Sequence, residues 1–434
     1  MEQTTRFAAR ELAACTVALA LAASAWGAMS SDQAAALARS ASRGDEPSLQ
    51  QLGTAALGGD KQAQYWLGAY FDSRHNYADA LTWYRRAAQQ GDAKGEYSLG
   101  VLYANGQGVG RDGAQAAAWF RKAAEQGNAE AQNNLAVMYR EGIGVPRDDA
   151  RAAAWFEKAA AQGEPHAQEN LGLMYLRGNG VARDPSRAAA WLAKAAAQGD
   201  PVAQDHLGVL YAQGLGVDKD PAQAADWFCK AAEQGVAHAQ TSLGWLYANG
   251  VGVPKDASLA ATWYRKAAEQ GVAAAEYDLG WLYARGDGVP QDAVQAAAWY
   301  RKAAEQGEPH AQNNLGLLYK NGTGVAADPV AAAGWFRKAA IQGEPDAEDN
   351  LATLYATGAG VQRSAVVAYA LYTLSMRGDP SPGNHAPASR DALAKRMSAA
   401  DILAARRLAA EASTPGNLAA AIDAYVNRAD GPAP

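Results

Sequence analysis

The sequence predicts an all-α protein, an α-solenoid in which helical hairpins stack into a right-handed superhelix. Three observations predict this fold: a tryptophan, a leucine and a tyrosine each recur every 36 residues along a chain of 434 residues. The tryptophans are Trp83, Trp119, Trp155, Trp191, Trp227, Trp263, Trp299 and Trp335. The leucines run from Leu99 to Leu351 and the tyrosines from Tyr103 to Tyr355. An unbroken step without insertions is typical of one supersecondary unit copied many times.

Each unit has the apolar spacing of two amphipathic helices. In the unit that begins at Ala129, the residues Ala131, Leu135 and Tyr139 are four apart and form the stripe of a first helix, helix A. The stripe of the second helix, helix B, consists of Ala152, Trp155, Phe156, Ala159 and Ala160. The residue after each helix A leucine is small, which lets two backbones approach closely. These residues are Gly100, Ala136, Gly172, Gly208, Gly244, Gly280, Gly316 and Ala352.

The loops and helix ends carry matching signals. Helix A ends in a Gly-x-Gly-Val loop, for example from Gly142 to Val145, where glycine permits a positive φ. An aspartate then stands at the N-cap position of helix B: Asp112, Asp148, Asp184, Asp220, Asp256, Asp292 and Asp328. Helix B stops at a glycine placed as a C-cap: Gly127, Gly163, Gly199, Gly235, Gly271, Gly307 and Gly343. These signals share one register, so they predict the ends of the hairpins as well as their existence.

The unit from Ala129 to Gly163 resembles the Sel-one-like repeat (SLR) family, a relative of the tetratricopeptide repeats. The residues that carry the resemblance are Ala129, Leu135, Tyr139, Gly142, Gly144, Val145, Trp155, Ala160 and Gly163. The tail that begins Arg390-Asp-Ala-Leu also resembles the ending of bacterial, exported SLR proteins. The resemblance implies an α-solenoid that acts as a non-catalytic scaffold and binds its partner on a concave face lined by the A helices.

These patterns divide the chain into segments. We expect a signal peptide at 1–25, an N-terminal linker and capping helix at 26–60, about nine SLR repeats at 61–376, a linker at 377–389, C-terminal capping helices at 390–428 and a tail at 429–434. The first repeat lacks the Gly-x-Gly-Val loop, and the ninth has Leu371 where tryptophan is expected. Caps are needed because an end repeat otherwise exposes an apolar side.

The first 25 residues have the pattern of a secretory signal peptide. Arg6 and Arg10 precede an apolar run that ends in small residues and is too short to span a bilayer. We therefore expect a periplasmic or secreted protein, and a structural first helix is the alternative. Cleavage would remove Cys15 and leave Cys229 without a partner for an intramolecular disulfide. A buried small apolar side chain is the favoured role of Cys229, ahead of a reactive thiol.

Composition and motifs exclude several classes of function. The net charge of -6 gives no cationic excess, which argues against a nucleic-acid partner and against binding to acidic lipid surfaces. No later run reaches about 18 uncharged apolar residues, so we expect no stable membrane insertion. The chain has no Gly-x-Ser-x-Gly, His-Glu-x-x-His, Cys-x-x-Cys or Walker sequence, so we expect no enzyme and no cofactor. His166, His238 and His310 recur every 72 residues. In a stack of hairpins they would lie about 20 Å apart, which is too far to share a metal ion.

The predicted partner surface follows from the landmarks of the related tetratricopeptide repeats. Two residues after each helix A leucine is an apolar column: Val101, Val137, Leu173, Val209, Trp245, Trp281, Leu317 and Thr353. Two residues before it is a more polar column: Tyr97, Asn133, Glu169, Asp205, Thr241, Tyr277, Asn313 and Asp349. We expect a protein or peptide to lie across Val209, Trp245, Trp281 and Leu317, flanked by Asp205, Thr241, Tyr277 and Asn313. The alternative is that the apolar column packs against neighbouring A helices.

The favoured function is a non-catalytic protein interaction scaffold or regulator in the bacterial cell envelope. The SLR resemblance implies an envelope sensor kinase or a polysaccharide-export component as the partner. The alternative is an envelope enzyme that binds or hydrolyses β-lactams, as has been linked to cysteine-rich relatives. This chain lacks their paired cysteines and a Ser-x-x-Lys motif, so that activity is not carried over.

Overall fold

The computed structural model describes residues 28–381, 383–414 and 416–429, and these residues form 23 helices and no strand. The predicted all-α fold, an α-solenoid of helical hairpins, is confirmed. The expected signal peptide at 1–25 lies outside the described residues. The helices belong to two compact units that divide between Lys219 and Asp220.

The first unit contains eleven helices, α1 to α11. It begins with α1 (Ser31–Ser42) and α2 (Glu46–Leu57). Four hairpins and one further helix follow: α3 (Lys61–Asp72) with α4 (Tyr77–Gln89), α5 (Ala93–Asn105) with α6 (Gly113–Glu125), α7 (Ala129–Glu141) with α8 (Asp149–Ala161), α9 (Pro165–Arg177) with α10 (Pro185–Ala197), and α11 (Pro201–Gln213). Within this unit each helix packs against its neighbours in the chain.

The second unit contains twelve helices, α12 to α23. After α12 (Pro221–Glu233) come the hairpins α13 (Ala237–Asn249) with α14 (Ala257–Glu269), α15 (Ala273–Arg285) with α16 (Ala293–Glu305), α17 (Pro309–Asn321) with α18 (Pro329–Ile341), and α19 (Pro345–Thr357) with α20 (Ala365–Gly378). The last three helices are α21 (Ala386–Ala394), α22 (Ala399–Ala412) and α23 (Leu418–Ala429).

The helix ends form as the sequence predicts, with one shift of position. Asp148 caps α8, because its carboxylate accepts the Arg151 backbone N–H at 2.9 Å. Gly127 lies one residue beyond the C-cap Gln126 rather than at the C-cap itself. Its φ of +93° is the left-handed conformation that the residue after a helix end adopts, and glycine takes it without strain.

Small residues bring the hairpins into close contact. A Cβ on Gly144, the second glycine of its loop, would lie 2.1 Å from the backbone of Gly113 in the preceding hairpin. The predicted helix A stripe of Ala131, Leu135 and Tyr139 is buried. The loop glycine therefore sets the spacing between hairpins, and the leucine column fills the core between them.

The tryptophan column differs from the prediction, because it is half-buried rather than part of the core. On α8 the buried residues are Ala152, Ala153, Phe156, Ala159 and Ala160. The ring of Trp155 is covered instead by the Lys158 ammonium, 4.0 Å from its centroid. The same pair recurs from Lys122 on Trp119 to Lys338 on Trp335. In the ninth repeat Leu371 replaces tryptophan and is fully buried in the core that includes residues of α22 and α23.

A ladder of buried amide side chains links successive hairpins. Gln132 on α7 donates its side-chain N–H to the Ala124 carbonyl of α6 at 3.0 Å, and it accepts an N–H from Gln162 at the end of α8 at 2.7 Å. Gln168, Gln240 and Gln312 repeat both bonds. Because these amides are buried and hydrogen-bonded on both sides, they fix the register of one hairpin on the next. Glutamate replaces the glutamine at Glu96, Glu276 and Glu348.

The two ends of the array depart in detail from the expected segments. The stretch 26–60, expected to hold one capping helix, holds α1 and α2, because Gly44 has a φ of +96° and Asp45 caps a new helix. The expected linker 377–389 is partly helical, because α21 begins at Ala386. Pro387 lies in the first turn of that helix, where its missing N–H costs nothing.

Candidate functional site

A groove in the second unit runs along α13, α14 and α15. It encloses about 570 Å³ and is open to solvent. Its lining residues are Trp245, Ala248, Asn249, Lys255, Ala257, Tyr264, Tyr277, Asp278, Trp281, Leu282, Arg285, Gly286, Asp287 and Gly288. Two A helices, the B helix between them and the loops that follow each A helix therefore contribute to a single depression.

The floor of the groove is formed by Tyr264, whose place is fixed by a glycine. A Cβ on Gly244 would lie 2.8 Å from the Tyr264 ring, so the helix A backbone and the ring are in direct contact. The neighbouring Leu243 and Leu279 are buried in the core beneath. The helix B residue that packs against the helix A glycine thus also builds the floor of the groove.

Two tryptophans form the walls. Trp245 and Trp281 occupy equivalent positions of consecutive A helices, and they are 51% and 39% exposed. The other residues of their column, from Val101 to Thr353, are smaller and half-buried. The Arg285 guanidinium lies 4.5 Å from the Trp281 ring centroid and forms an ion pair with Asp287 at 3.0 Å. Both indoles are therefore presented to solvent with a cation already stacked on one of them.

Asp278 is the half-buried acidic group of the groove. Its carboxylate accepts a hydrogen bond from the Tyr264 hydroxyl. Burial raises the pKa of Asp278 to about 6; the Tyr264 hydrogen bond opposes this shift and the Glu308 charge adds to it. Burial and the charge of Asp278 raise the pKa of Tyr264 above its ordinary value. The pair therefore keeps its proton on the phenol, and Tyr264 is a donor rather than a nucleophile.

Tyr277 continues the surface toward the next hairpin. Its ring centroid lies 5.9 Å from that of Tyr300 and 5.8 Å from that of His310. His310 contacts Glu308 at 2.9 Å and Glu344 at 3.5 Å. Burial lowers the pKa of His310, but the hydrogen bond that its ring donates to Glu308 and the Glu344 charge outweigh this effect, so the pKa is raised. The border of the groove is thus rich in carboxylates.

The structure brings together three of the eight predicted contact residues. Trp245, Trp281 and Tyr277 line the groove. Thr241 donates its hydroxyl to the Ala237 carbonyl of its own helix at 2.9 Å. These four residues belong to α13 and α15.

The other four predicted residues have different surroundings. Asn313 is buried and accepts an N–H from Asn350 at 3.1 Å, and Leu317 packs against the C-terminal core. In the first unit, Val209 is half-buried on α11 and Asp205 is buried on the same helix. The alternative interpretation of the column, packing against neighbours, therefore describes Leu317 and not the two tryptophans.

Sequence reasoning missed Asp278, Tyr264, Arg285, Asp287 and Lys255. A signal for Asp278 was present one residue before each helix A leucine. That column reads Ser98, Asn134, Asn170, His206, Ser242, Asp278, Asn314 and Asn350, so Asp278 is its acidic member. The loop residues carry no comparable signal, because only the close packing of hairpins brings them to the groove.

The histidines and the cysteine that the sequence analysis considered as possible metal-binding or reactive residues lie outside the groove. His166 lies 3.3 Å from Asp200 and its side chain is mostly exposed. Within residues 28–429, apart from the masked positions, no cluster of three or more His, Cys, Asp or Glu side chains could hold a metal ion. Cys229 is half-buried rather than buried, and its thiol contacts Glu233 at 3.6 Å. No helix in the same residues is long and apolar enough to cross a bilayer.

Comparison with known proteins gives a consistent result. Nine segments match the Sel1 repeat: residues 61–92, 93–128, 129–164, 165–200, 201–236, 237–272, 273–308, 309–344 and 345–376. The chain is similar to c5321, a protective antigen of uropathogenic Escherichia coli with an SLR fold. The two are 32% identical over 93% of this chain and 96% of that chain, with a TM-score of 0.62.

A second similar structure is a Sel1 repeat protein from Oxalobacter formigenes. It is 38% identical over 70% of this chain and 90% of that chain, with a TM-score of 0.55. No functionally curated protein matches the chain.

Proposed function

Because the chain belongs to the Sel1 repeat family, as its 36-residue unit predicted, we propose that it is a non-catalytic scaffold or regulator whose groove of α13 to α15 binds a protein partner. Proteins of this family are generally protein interaction scaffolds. In this proposal the repeats at 61–376 are the binding array, and the segment 390–428 caps it.

The observation that carries the proposal is the pair of exposed tryptophans. The few interface residues whose truncation costs about 2 kcal/mol or more of binding energy are enriched in tryptophan, and they cluster in pockets near the centre of an interface. Trp245 and Trp281 lie side by side in the groove. The equivalent positions of the array carry Val, Leu or Thr, so the indoles are not needed to stack hairpins.

The groove chemistry favours binding over catalysis. Nucleophilic catalysis needs a side chain whose pKa is lowered or that has a base to take its proton. The pKa of Tyr264 is raised, and Asp278 is held by its hydrogen bond. The alternative function, a β-lactam-hydrolysing envelope enzyme, predicts turnover of a chromogenic β-lactam that is lost in Asp278→Asn.

The cellular setting of the proposal comes from the N-terminal segment. The pattern of residues 1–25 favours export, so the partner would lie in the periplasm or outside the cell. An envelope sensor kinase or a polysaccharide-export component fits the SLR resemblance. The net charge of -6 favours a protein over nucleic acid.

Affinity capture from an envelope extract tests the proposal with a matched control. The bait is the purified wild-type chain, the variant Trp245→Ala with Trp281→Ala, or the variant Val137→Ala with Leu173→Ala. The control changes the same column in two consecutive hairpins of the first unit. All three should give the same far-UV circular dichroism.

Quantitative mass spectrometry of the captured proteins gives the result. We expect the wild type and the control to capture at least one protein in common. The captured amount of that protein should be more than tenfold lower with the tryptophan variant. Equal retention by all three baits would show that the groove is not the binding surface.

A further inference from the structure

We infer that the groove of α13 to α15 receives a lysine or arginine side chain of the partner, whose aliphatic stem lies against Trp245 and Trp281 and whose charge pairs with Asp278. The inference rests on the proposed function and specifies the chemistry of the partner. It predicts recognition of a basic residue within an otherwise apolar segment.

Packing does not require a carboxylate at position 278. Asp278 accepts the hydroxyl of Tyr264. In the following hairpin the equivalent hydroxyl of Tyr300 is hydrogen-bonded to Asn314. A neutral amide therefore holds the tyrosine equally well, and the negative charge of Asp278 is left for another purpose.

The first unit shows what fills the equivalent space. There Arg140 on α7 donates an N–H to Asn170 on α9 at 2.5 Å, and its guanidinium lies 5.7 Å from the Phe156 ring centroid on α8. The positions equivalent to Arg140, Phe156 and Asn170 in the groove are Ala248, Tyr264 and Asp278. Where α7 supplies its own guanidinium at Arg140, the groove has the methyl group of Ala248 and the carboxylate of Asp278.

The electrostatic surroundings of Asp278 suit a cation, although the charges that line the groove as a whole are balanced. Asp287 is paired with Arg285, and Lys255 is an exposed residue of a loop. The charge that acts on Asp278 is the Glu308 carboxylate, which raises its pKa as burial does. A positive charge beside Asp278 would favour its ionised form and so offset the effects of burial and of the Glu308 charge.

The aromatic walls suit the same ligand. A cation within about 6 Å of an indole centroid is attracted to the ring face, and Arg285 already lies 4.5 Å from Trp281. The long stem of lysine or arginine can lie on an apolar wall while its head group is polar. A volume of about 570 Å³ is within the range of ordinary ligand pockets.

Selection from a phage-displayed library of linear 12-residue peptides tests the inference on the whole chain. The best peptide is then synthesised with its basic residue intact or changed to glutamine, and both affinities are measured by fluorescence anisotropy. The protein variants are Asp278→Asn, which Asn314 shows to be compatible with the packing, and Ala248→Arg, which copies Arg140. Asp226→Asn, on the exposed side of α12, is the control for net charge.

We expect peptides with Lys or Arg at one fixed position beside apolar residues. The Asp278→Asn variant should bind the basic peptide about tenfold more weakly, as for loss of a charge-assisted hydrogen bond. The Ala248→Arg variant should lose at least as much, because its own guanidinium would pair with Asp278. Changing the peptide residue to glutamine should cost tenfold with the wild type and little with Asp278→Asn. Asp226→Asn should change the affinity less than twofold.

Two different results would overturn the claims separately. Selection of neutral or acidic peptides, or an affinity unchanged in Asp278→Asn, would overturn the inference. If those peptides still required Trp245 and Trp281, the proposed function would stand. Peptides that bind the tryptophan double variant as tightly as the wild type would contradict both.

Discussion

Two stretches of three helices, α7 to α9 in the first unit and α13 to α15 in the second, have the same internal packing. They differ in the residues on the solvent-exposed side of their A helices, which we call the face. In both, a buried leucine of helix A is followed by a small residue, and a ladder glutamine bonds to the preceding hairpin. On the solvent side of helix A, however, Arg140 lies over Phe156 in the first stretch, while Ala248 and the buried Tyr264 line an open groove in the second.

The difference separates two kinds of position in the repeat. Positions that contact the next hairpin keep their residue type, because a change there disturbs the register of both hairpins. Positions on the helix A face are free to change without disturbing the stack. In the proposed function, binding specificity resides in a few of these positions, and the groove forms where two tryptophans stand beside a small residue, Ala248.

The largest expected effect comes from changing a shared packing position in both stretches. In Gly172→Leu and Gly244→Leu, the new side chain would collide with Leu192 and Tyr264, since even a Cβ would lie 2.7 and 2.8 Å from them. Each should lower the free energy of unfolding by about 3 kcal/mol in urea titrations followed by circular dichroism. The matched Gly172→Ala should cost less, as Ala136 stands at the same position. A small effect in one stretch alone would break the claim that their packing is equivalent.

A somewhat smaller effect concerns the ladder, through Glu348→Gln. The ordinary pKa of a glutamate is 4.5, and burial, assisted by the Glu344 charge, raises the pKa of Glu348 to about 8. Between these values the folded chain holds a proton that the unfolded chain has lost, so the free energy of unfolding falls as pH rises from 4.5 to 8. A glutamine at position 348 does not titrate, so it removes this fall in stability. It also supplies the side-chain N–H donor that Gln132 and Gln312 have at the equivalent positions. The variant should be more stable at pH 8 by about 2 kcal/mol and little changed at pH 5.

The matched control for the ladder is Glu276→Gln on α15. The pKa of Glu276 is also raised by burial, but Gln306 hydrogen-bonds to it at 2.7 Å and Lys302 opposes the shift. Its gain at pH 8 should therefore be smaller than that of Glu348→Gln. Melting temperatures that rise equally at pH 5 and pH 8 would contradict the assigned role of the Glu348 proton.

Exchanging Arg140 and Ala248, the equivalent residues of the two stretches, should have a smaller effect on the free energy of unfolding. The sign of the effect should be opposite in the two stretches. Arg140→Ala removes the bond to Asn170 and should lower the free energy of unfolding by about 1 kcal/mol. Ala248→Arg adds a guanidinium beside Asp278 and should raise it by up to about 1 kcal/mol. Thermal melts at low and high salt check both, because the new charge pair should weaken with salt. A loss in Ala248→Arg would show that the two faces are not equivalent in shape.

The smallest effect on stability is expected for the tryptophans themselves. Since Trp245 is 51% exposed, Trp245→Ala should change the free energy of unfolding by less than about 0.5 kcal/mol. The buried Leu279→Ala in the next helix is the contrast and should cost about 3 kcal/mol. The midpoints of urea unfolding of the two variants, measured in parallel with the wild type, give the two losses of stability for comparison. Comparable losses would mean that Trp245 is part of the core and not of a binding face.

The sequence predicts the helical hairpins and their ends far better than it predicts the groove. The hairpin register, the aspartate caps such as Asp148 and the small residues after each leucine follow from local rules about helix ends and close packing. The groove depends on side chains about 30 residues apart, such as Ala248 and Asp278, whose approach is set by how hairpins stack. The repeat period shows which position of the repeat each residue occupies, but it does not give the distance between two such residues. The early start of α21 was missed because Pro387 signals a break as readily as a first turn. The extra helix at the start follows Gly44 and the cap Asp45, which lie outside the 36-residue register.

Site-specific photo-crosslinking in native cells tests the central claim most directly. A benzoylphenylalanine is placed at position 245, 281, 137 or 173, so that the same column is probed in both stretches. We predict that one envelope protein becomes crosslinked from positions 245 and 281 and not from 137 or 173. Crosslinks to the same protein from all four positions, or only from 137 and 173, would contradict the assignment of the binding face to α13 to α15.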